Sequence, residues 1–92
     1  MIKSFRCKET EKLFNDLPSR RYRAIERVAR RKLEMIEAAK RLEDLRSPPG
    51  NRLEALERDR IGQHSIRIND QFRICFRWVD GAAMDVEIVD YH

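Results

Sequence analysis

QFRICFRWVDGAAMDVEIVD, residues 71–90, contains two alternating runs joined by the turn pair Asp80-Gly81. The apolar positions are Phe72, Ile74, Phe76 and Trp78 in the first run and Met84, Val86 and Ile88 in the second. This period of two predicts the strands of an antiparallel hairpin, each with one buried face.

Burial of one face also predicts the register of the hairpin. A two-residue loop at Asp80-Gly81 would place Phe76 opposite Asp85 and bury a carboxylate. We therefore expect a three-residue loop, Asp80-Gly81-Ala82, with Gly81 in a left-handed conformation. The expected pairs are Trp78 with Met84, Phe76 with Val86 and Ile74 with Ile88, and in the preceding hairpin Ile66 with Ile74 and Ile68 with Phe72.

The same register gathers arginines on the outer face of the sheet. Arg67 falls opposite Arg73, Arg77 falls opposite Asp85, and Tyr91 lies diagonally from Arg73. Opposed guanidinium groups repel each other unless a carboxylate or phosphate lies between them. Arginine suits phosphate, and a phenol can donate a hydrogen bond or stack on a base. The pattern fits an anion site, and it also fits a solvated face on which the two arginines diverge into water and Tyr91 caps the sheet.

The rest of the chain reads as helix before Ser47-Pro48-Pro49-Gly50 and as strand after it. We expect a short strand in IKSFRC, a brief helix starting near Thr10 and ending at Pro18, a helix from about residue 20 to 42, and strands in NRLEAL and QHSIRIN. The long helix carries the apolar stripe Tyr22, Ile25, Val28, Ala29, Leu33, Ile36, Ala39 and Leu42. These elements predict one α+β domain over residues 1–92, with two N-terminal helices packed on a small antiparallel sheet.

Composition restricts the class of protein. Lys and Arg number 20 against 16 Asp and Glu, a net charge of +4, which fits an acidic partner or a surface rich in ion pairs. No apolar run approaches the length of a membrane span, and the start lacks a signal peptide, so we expect a cytoplasmic protein. Cys7 and Cys75 lack metal-ligand spacing, which favours reduced thiols and no metal site.

Two stretches, NRLEALERDRIGQHSIRINDQFRICFRW and VEIVDYH, closely resemble the HigB-type toxins of bacterial toxin-antitoxin pairs, within the RelE/ParE-like superfamily. The resemblance covers essentially the whole chain, and LRSPPGNRLEAL indicates the branch described as plasmid-maintenance killer proteins. It implies a RelE-like α+β fold and an endoribonuclease that cuts mRNA in the ribosomal A site and inhibits translation without a metal or cofactor. The RNA's 2′-hydroxyl would attack the adjacent phosphorus and leave a 2′,3′-cyclic phosphate.

The resemblance also implies roles for the end of the chain. Arg73 matches the family's strand arginine and would stabilise charge on the phosphorus, with Arg67 as a helper. Asp90, Tyr91 and His92 match the family's C-terminal residues and would edge the catalytic groove. His92 is the expected proton donor, because the negative charge of Asp90 favours a protonated ring, and Tyr91 would orient or stack.

One position departs from the family. Glu54 stands where well-known members carry a histidine. Its carboxylate could accept the 2′-hydroxyl proton, or it could simply pair with one of three arginines. These are Arg52, Arg58 and Arg67, which together with Arg60 are also the expected RNA contacts.

The implied partners are the ribosome with its mRNA and a helix-turn-helix, HigA-like antitoxin, through which alone operator DNA would be contacted. Two alternatives stay open. ParE-like relatives share the fold and inhibit DNA gyrase, and a chain weakened by Glu54 could be a catalytically weak antitoxin-binding module. The strand arginine with a terminal Tyr-His favours the nuclease.

Overall fold

The structure is a computed structural model and describes residues 1–90. Two helices, α1 (Lys8–Phe14) and α2 (Glu26–Ala38), pack on one face of a four-stranded antiparallel sheet. The strands are β1 (Glu54–Ala55), β2 (Gln63–Arg67), β3 (Phe72–Val79) and β4 (Ala82–Asp90), in the order β1-β2-β3-β4. The predicted α+β class, with helices first and sheet second, is confirmed.

Helix α2 is shorter than its apolar stripe predicts. A 3-10 turn, Arg23–Ile25, precedes it, and Ala39 takes an extended backbone after it. The following turn is stabilised by Asp44, whose carboxylate accepts hydrogen bonds from the backbone N–H groups of Lys40 and Arg41, each at 3.0 Å. The predicted end at residue 42 was therefore wrong, because this local capping replaces the last helical turn. The stripe itself packs as predicted, with Tyr22, Ile25, Ala29, Leu33, Ile36 and Ala39 buried.

The register of the β3–β4 hairpin is right at one end and wrong at the other. Ile74 pairs with Ile88 as predicted, but Trp78 pairs with Ala83 through a two-residue loop at Asp80 and Gly81, both with positive φ. A bulge restores the apolar register, because Asp85 takes a left-handed backbone (φ 53°) within β4. The extra residue that burial demands thus lies in the strand and not in the loop.

The N-terminal segment covers the outer edge of β4. It forms isolated parallel bridges, Ile2 with Ala83 and Phe5 with Val86, and not the continuous strand that IKSFRC predicts. Farther along this edge, the backbone N–H of Ile88 donates to Thr10 Oγ1 at 3.0 Å. These contacts end before Asp90, so the terminal part of β4 extends beyond the segment that covers its edge.

Strand β3 is buried on both faces in its middle, contrary to the prediction of one buried face. Ile74 and Phe76 face the helices, while Arg73 and Cys75 face the other side and are nevertheless buried. We call this other side, with Glu54, Ser65, Arg67, Arg73, Cys75 and Glu87 on it, the outer face. Residues 52–60 and their side chains fold over part of it, which the alternation of apolar residues alone cannot reveal.

Candidate functional site

Arg73 is the centre of the outer face. Its Nε donates to the hydroxyl of Ser65 at 2.8 Å, and its Nη2 donates to the carbonyl oxygen of Arg52 at 2.7 Å. Only 8% of Arg73 is exposed, and Ser65 has no exposed surface. A guanidinium fixed by two acceptors in a site of low water content is a pre-organised positive charge.

The carbonyl of Arg52 reaches Arg73 because of a local turn. Arg52 has a left-handed backbone (φ 46°, ψ 57°) directly after the 3-10 turn Pro49–Asn51. Asn51 is fully buried and holds this turn, since its amide donates to the carbonyls of Leu45 and Ser47 at 3.2 and 3.3 Å.

Lys32 of α2 donates to Asn51 Oδ1 and connects the turn to the helix layer. Burial lowers the pKa of Lys32, and the nearby cations Arg31 and Arg67 lower it further. A contiguous set of contacts therefore runs from α2 through Asn51 and the Arg52 backbone to Arg73.

Glu54 lies beside this arginine. Its Oε1 is 3.5 Å from Arg73 Nη2, and its side chain is 54% exposed. Of the two roles open to Glu54, ion pairing is present in the structure, but its partner is Arg73 and not Arg52, Arg58 or Arg67. The pairing leaves most of the carboxylate open to a ligand on the outer face.

Arg67 lies opposite Arg73 in the β2–β3 ladder, as the register predicts. The predicted repulsion between them is relieved within the protein, because Arg67 pairs with Asp70 while Arg73 has Glu54 and two neutral acceptors. Arg77 and Asp85 form the predicted ion pair at 2.8 Å.

A second charged group covers Cys75. Arg60 Nη1 lies 3.0 Å from Glu87 Oε2 and donates to Gln63 Oε1 at the same distance. Burial beneath this layer raises the pKa of the Cys75 thiol. Arg60, predicted as an RNA contact, thus also fixes the 58–60 turn over the sheet, whereas Arg52 and Arg58 have exposed side chains.

Asp90 ends the described chain. It pairs with Phe72 across β3–β4, while Arg73 pairs with Val89, so strand alternation places Asp90 and Arg73 on opposite faces. The Asp90 carboxylate accepts a hydrogen bond from Gln71 Nε2 at 3.1 Å. The predicted roles of Tyr91 and His92 fall outside the described residues.

A cavity of ≈ 400 Å³ lies at this end of β4. Its lining comes from the segment between the helices, the 58–60 turn and the ends of β3 and β4. These residues are Arg21, Tyr22, Arg60, Phe72, Glu87, Ile88, Val89 and Asp90. We call it the edge cavity.

Comparison with known proteins identifies the family to which this chain belongs. Residues 3–92 match the family described as the RelE-like toxin of type II toxin-antitoxin system HigB. The chain is a member of the HigB-like toxin family. It is also similar to Toxin HigB-1 of Vibrio cholerae serotype O1, with 44% identity in an alignment of 89 residues and a coverage of 92% of each chain. An uncharacterized protein of Haemophilus influenzae is 44% identical over 62 residues, 67% of this chain and 57% of that protein.

Membership in this family makes the protein a toxin of a type II toxin-antitoxin system, for which an antitoxin is the partner. Within residues 1–90, no helix is long and apolar enough to cross a membrane. The same residues contain no group of three or more His, Cys, Asp or Glu side chains arranged to hold a metal ion.

Sequence reasoning missed three residues that shape the site of this HigB-like toxin: Ser65, Glu87 and Tyr22. The register contained the signal for Ser65, since Ser65 pairs with Cys75 and therefore lies diagonally from Arg73 on the same face. Glu87 pairs with Cys75 from the other side by the same logic. Tyr22 offered no signal beyond its place in the apolar stripe.

Proposed function

We propose that this HigB-like toxin is an endoribonuclease that cuts ribosome-bound mRNA by attack of the RNA's own 2′-hydroxyl. The observation that carries the proposal is the buried guanidinium of Arg73, fixed 3.5 Å from the exposed carboxylate of Glu54. Family membership supports the reaction class, and the net charge of +4 supports an RNA substrate.

The reaction forms one bond and breaks one. The 2′-oxygen loses its proton to a base and bonds to the phosphorus, and the 5′-oxygen leaves with a proton from an acid. The products are a 2′,3′-cyclic phosphate and a 5′-hydroxyl, so the protein supplies no nucleophile. It contributes positioning, proton transfer and stabilisation of charge on the phosphorus.

Among the described residues, two are suited to proton abstraction and to charge stabilisation. Glu54 is the candidate base, because its carboxylate is the exposed acceptor next to Arg73. Arg73 stabilises the charge that develops on the phosphorus and offsets the negative charge that Glu54 places near the RNA. His92 is proposed as the acid and Tyr91 as an orienting or stacking group.

The surrounding arginines would bind the RNA backbone. Arg52 and Arg58 have exposed side chains, and Arg67, on β2, is half-buried. The working partners are then the ribosome with its mRNA in the cytoplasm and a helix-turn-helix, HigA-like antitoxin that carries any operator DNA contact. The whole chain, 1–92, would act as one toxin domain.

Single-turnover cleavage on ribosomes programmed with a defined mRNA tests the proposal. We expect the unmodified chain to leave 2′,3′-cyclic phosphate ends, and we expect Arg73→Met and deletion of residues 91–92 to abolish them. Arg77→Met is the matched control, since Arg77 lies on the same strand and pairs with Asp85 instead of Glu54. Full cleavage by Arg73→Met, with native circular dichroism, would contradict the proposed site.

The same preparation separates the nuclease from its alternatives. Intact ribosome-bound mRNA together with inhibited supercoiling by gyrase would indicate a ParE-like activity. Intact mRNA, normal supercoiling and unchanged growth on expression would indicate a binding module only.

A further inference from the structure

Because successive residues of a strand point to opposite sides of the sheet, the edge cavity lies apart from the Arg73 centre. Phe72, Ile88 and Asp90 line it from the side of the sheet opposite Arg73, and Arg60 and Glu87 close it around the end of β4. We infer that this cavity is a nucleotide-binding subsite, which takes a nucleotide of the RNA next to the linkage that is cut. The inference rests on the proposed nuclease function and adds a place where the sequence of the RNA is read.

Arg21 is the candidate phosphate contact. Its side chain is exposed, and its guanidinium carbon lies 5.4 Å from the ring centroid of Tyr22. Among residues 1–90 no carboxylate forms an ion pair with Arg21, whereas Arg60 on the opposite wall is paired with Glu87. The cavity therefore has one cation whose charge is available for a ligand phosphate.

Two internal contacts hold the aromatic wall in place. The rings of Tyr22 and Phe72 meet edge to face at 5.8 Å and 84°, and the Tyr22 hydroxyl donates to the carbonyl of Ile88 at 3.3 Å. Phe72 keeps part of its surface exposed. A fixed, partly open aromatic surface beside an arginine is the combination on which unpaired bases stack. The volume of ≈ 400 Å³ lies in the usual range of small-molecule sites.

The acidic rim orients the ligand. The carboxylates of Asp90 and Glu87 repel a phosphate, so the phosphate belongs at the Arg21 end and the base at the β4 end. A carboxylate accepts hydrogen bonds and donates none. Gln71 Nε2 donates to Asp90 at 3.1 Å. Glu87 Oε2 lies 3.0 Å from Arg60 Nη1 and 3.9 Å from Arg6 Nε. Each carboxylate has two oxygens that can accept several hydrogen bonds, an exocyclic amino group among their donors, and adenine, cytosine and guanine have such a group whereas uracil lacks it.

Fluorescence anisotropy with a 2′-O-methyl RNA hexamer, which cannot be cut, tests the phosphate contact directly. For Arg21→Gln we expect affinity to fall about tenfold. The slope of log affinity against log salt should also become shallower by about 0.7, the value for one lost phosphate contact on a single strand. Arg23→Gln is the matched control. Arg23 is exposed two residues away and lines a different groove, so this variant should bind like the unmodified chain.

A change of base tests the acidic rim without a mutation. The adenine hexamer should bind about tenfold more tightly than a hexamer of purine riboside, which stacks in the same way but lacks the amino group. This ratio should shrink in Asp90→Leu. Because Asp90 ends a strand and accepts a hydrogen bond from Gln71 at the surface, native circular dichroism is the check that this variant folds.

The outcomes separate the two proposals. Binding that depends on Arg21 and on the amino group, without ribosomal cleavage, would leave the subsite standing and remove the nuclease. Cleavage with equal affinities for Arg21→Gln and Arg23→Gln, or no measurable binding of the hexamer by the unmodified chain at low salt, would overturn the subsite.

Discussion

Removing the hydroxyl of Ser65 tests whether the outer face holds Arg73 in place. Ser65 Oγ accepts from Arg73 Nε at 2.8 Å, and Ser65→Ala would leave this charged donor without its acceptor in a buried position. Hydrogen bonds to charged groups contribute about 1.5–3 kcal/mol. We therefore expect the free energy of unfolding to fall by about 2 kcal/mol. That loss corresponds to a roughly 30-fold larger unfolding constant and to a midpoint lower by about 10 °C.

A double-mutant cycle assigns this loss to the pair. Urea denaturation of Ser65→Ala, Arg73→Met and the double variant gives the coupling free energy between the two side chains. The Arg73→Met variant has no guanidinium that needs the Ser65 acceptor. Adding Ser65→Ala to this variant should therefore lower its free energy of unfolding only slightly. The expected coupling is about 2 kcal/mol.

Cleavage by Ser65→Ala, measured well below its midpoint, tests the functional consequence. A guanidinium that has lost one of its fixed acceptors should stabilise the phosphorus less, so the maximal rate should fall while the concentration for half-maximal rate stays the same. Ser19→Ala is the control. Ser19 is also a buried serine, but its hydroxyl donates a hydrogen bond to Glu9 at 2.8 Å and makes no contact with Arg73. A coupling energy near zero, or an unchanged rate, would refute the idea that Ser65 positions Arg73.

Three further outcomes follow from the backbone and the buried groups. Gly81→Ala should lower the free energy of unfolding by about 1 kcal/mol in a urea titration, because Gly81 has φ +79°. Gly50→Ala should change this free energy little, because there is open space at Gly50. A thiol reagent should label one cysteine fast, Cys7, because Cys75 is buried with a raised pKa; two fast equivalents would contradict this burial. Backbone hydrogen bonds from Arg41 and Lys40 lower the pKa of Asp44, so its stabilising charge is fully present above its ordinary pKa of 3.8 and lost as pH falls through the folded value. Asp44→Asn should flatten the acid limb of a stability-against-pH curve, and an unchanged limb would count against this role.

Much of the register of the sheet could be predicted, because apolar residues alternate along each strand and the apolar faces of neighbouring strands must be buried together. The pairs Ile66 with Ile74, Arg67 with Arg73 and Ile74 with Ile88 all lie where the buried face requires them. Burial required one extra residue in the β3–β4 hairpin but could not locate it. Asp80, Gly81 and Asp85 all take positive φ, and the bulge at Asp85 is stabilised by Ser4, from a remote part of the chain. Its hydroxyl accepts from the backbone N–H of Asp85 at 2.8 Å.

The candidate site was less predictable because it depends on chain segments that fold over the sheet. Nothing local to Glu54 favours Arg73 over Arg52 or Arg58 as its partner; the choice follows from the left-handed turn at Arg52, which brings the segment back onto β2. Arg60 and Glu87 lie 27 residues apart, and their pairing depends on the same folded segment. The alternation of apolar and polar residues predicts the face of a strand on which a side chain lies. It does not predict which distant segment packs over that face, and the contacts of the candidate site depend on such a segment.

Burial of Arg73 changes what its charge can do. A guanidinium that is 8% exposed and paired with Glu54 forms, with that carboxylate, a pair of zero net charge, so it attracts RNA weakly at long range. On the proposed nuclease function, long-range attraction would come from exposed cations such as Arg52, Arg58 and Arg21, while Arg73 would act on charge that develops a few ångströms away. Neutralising an exposed arginine should therefore reduce the rate of association and its salt dependence, and replacing Arg73 should reduce the chemical step. On the proposed nuclease function, binding and catalysis would then belong to different arginines of this small protein.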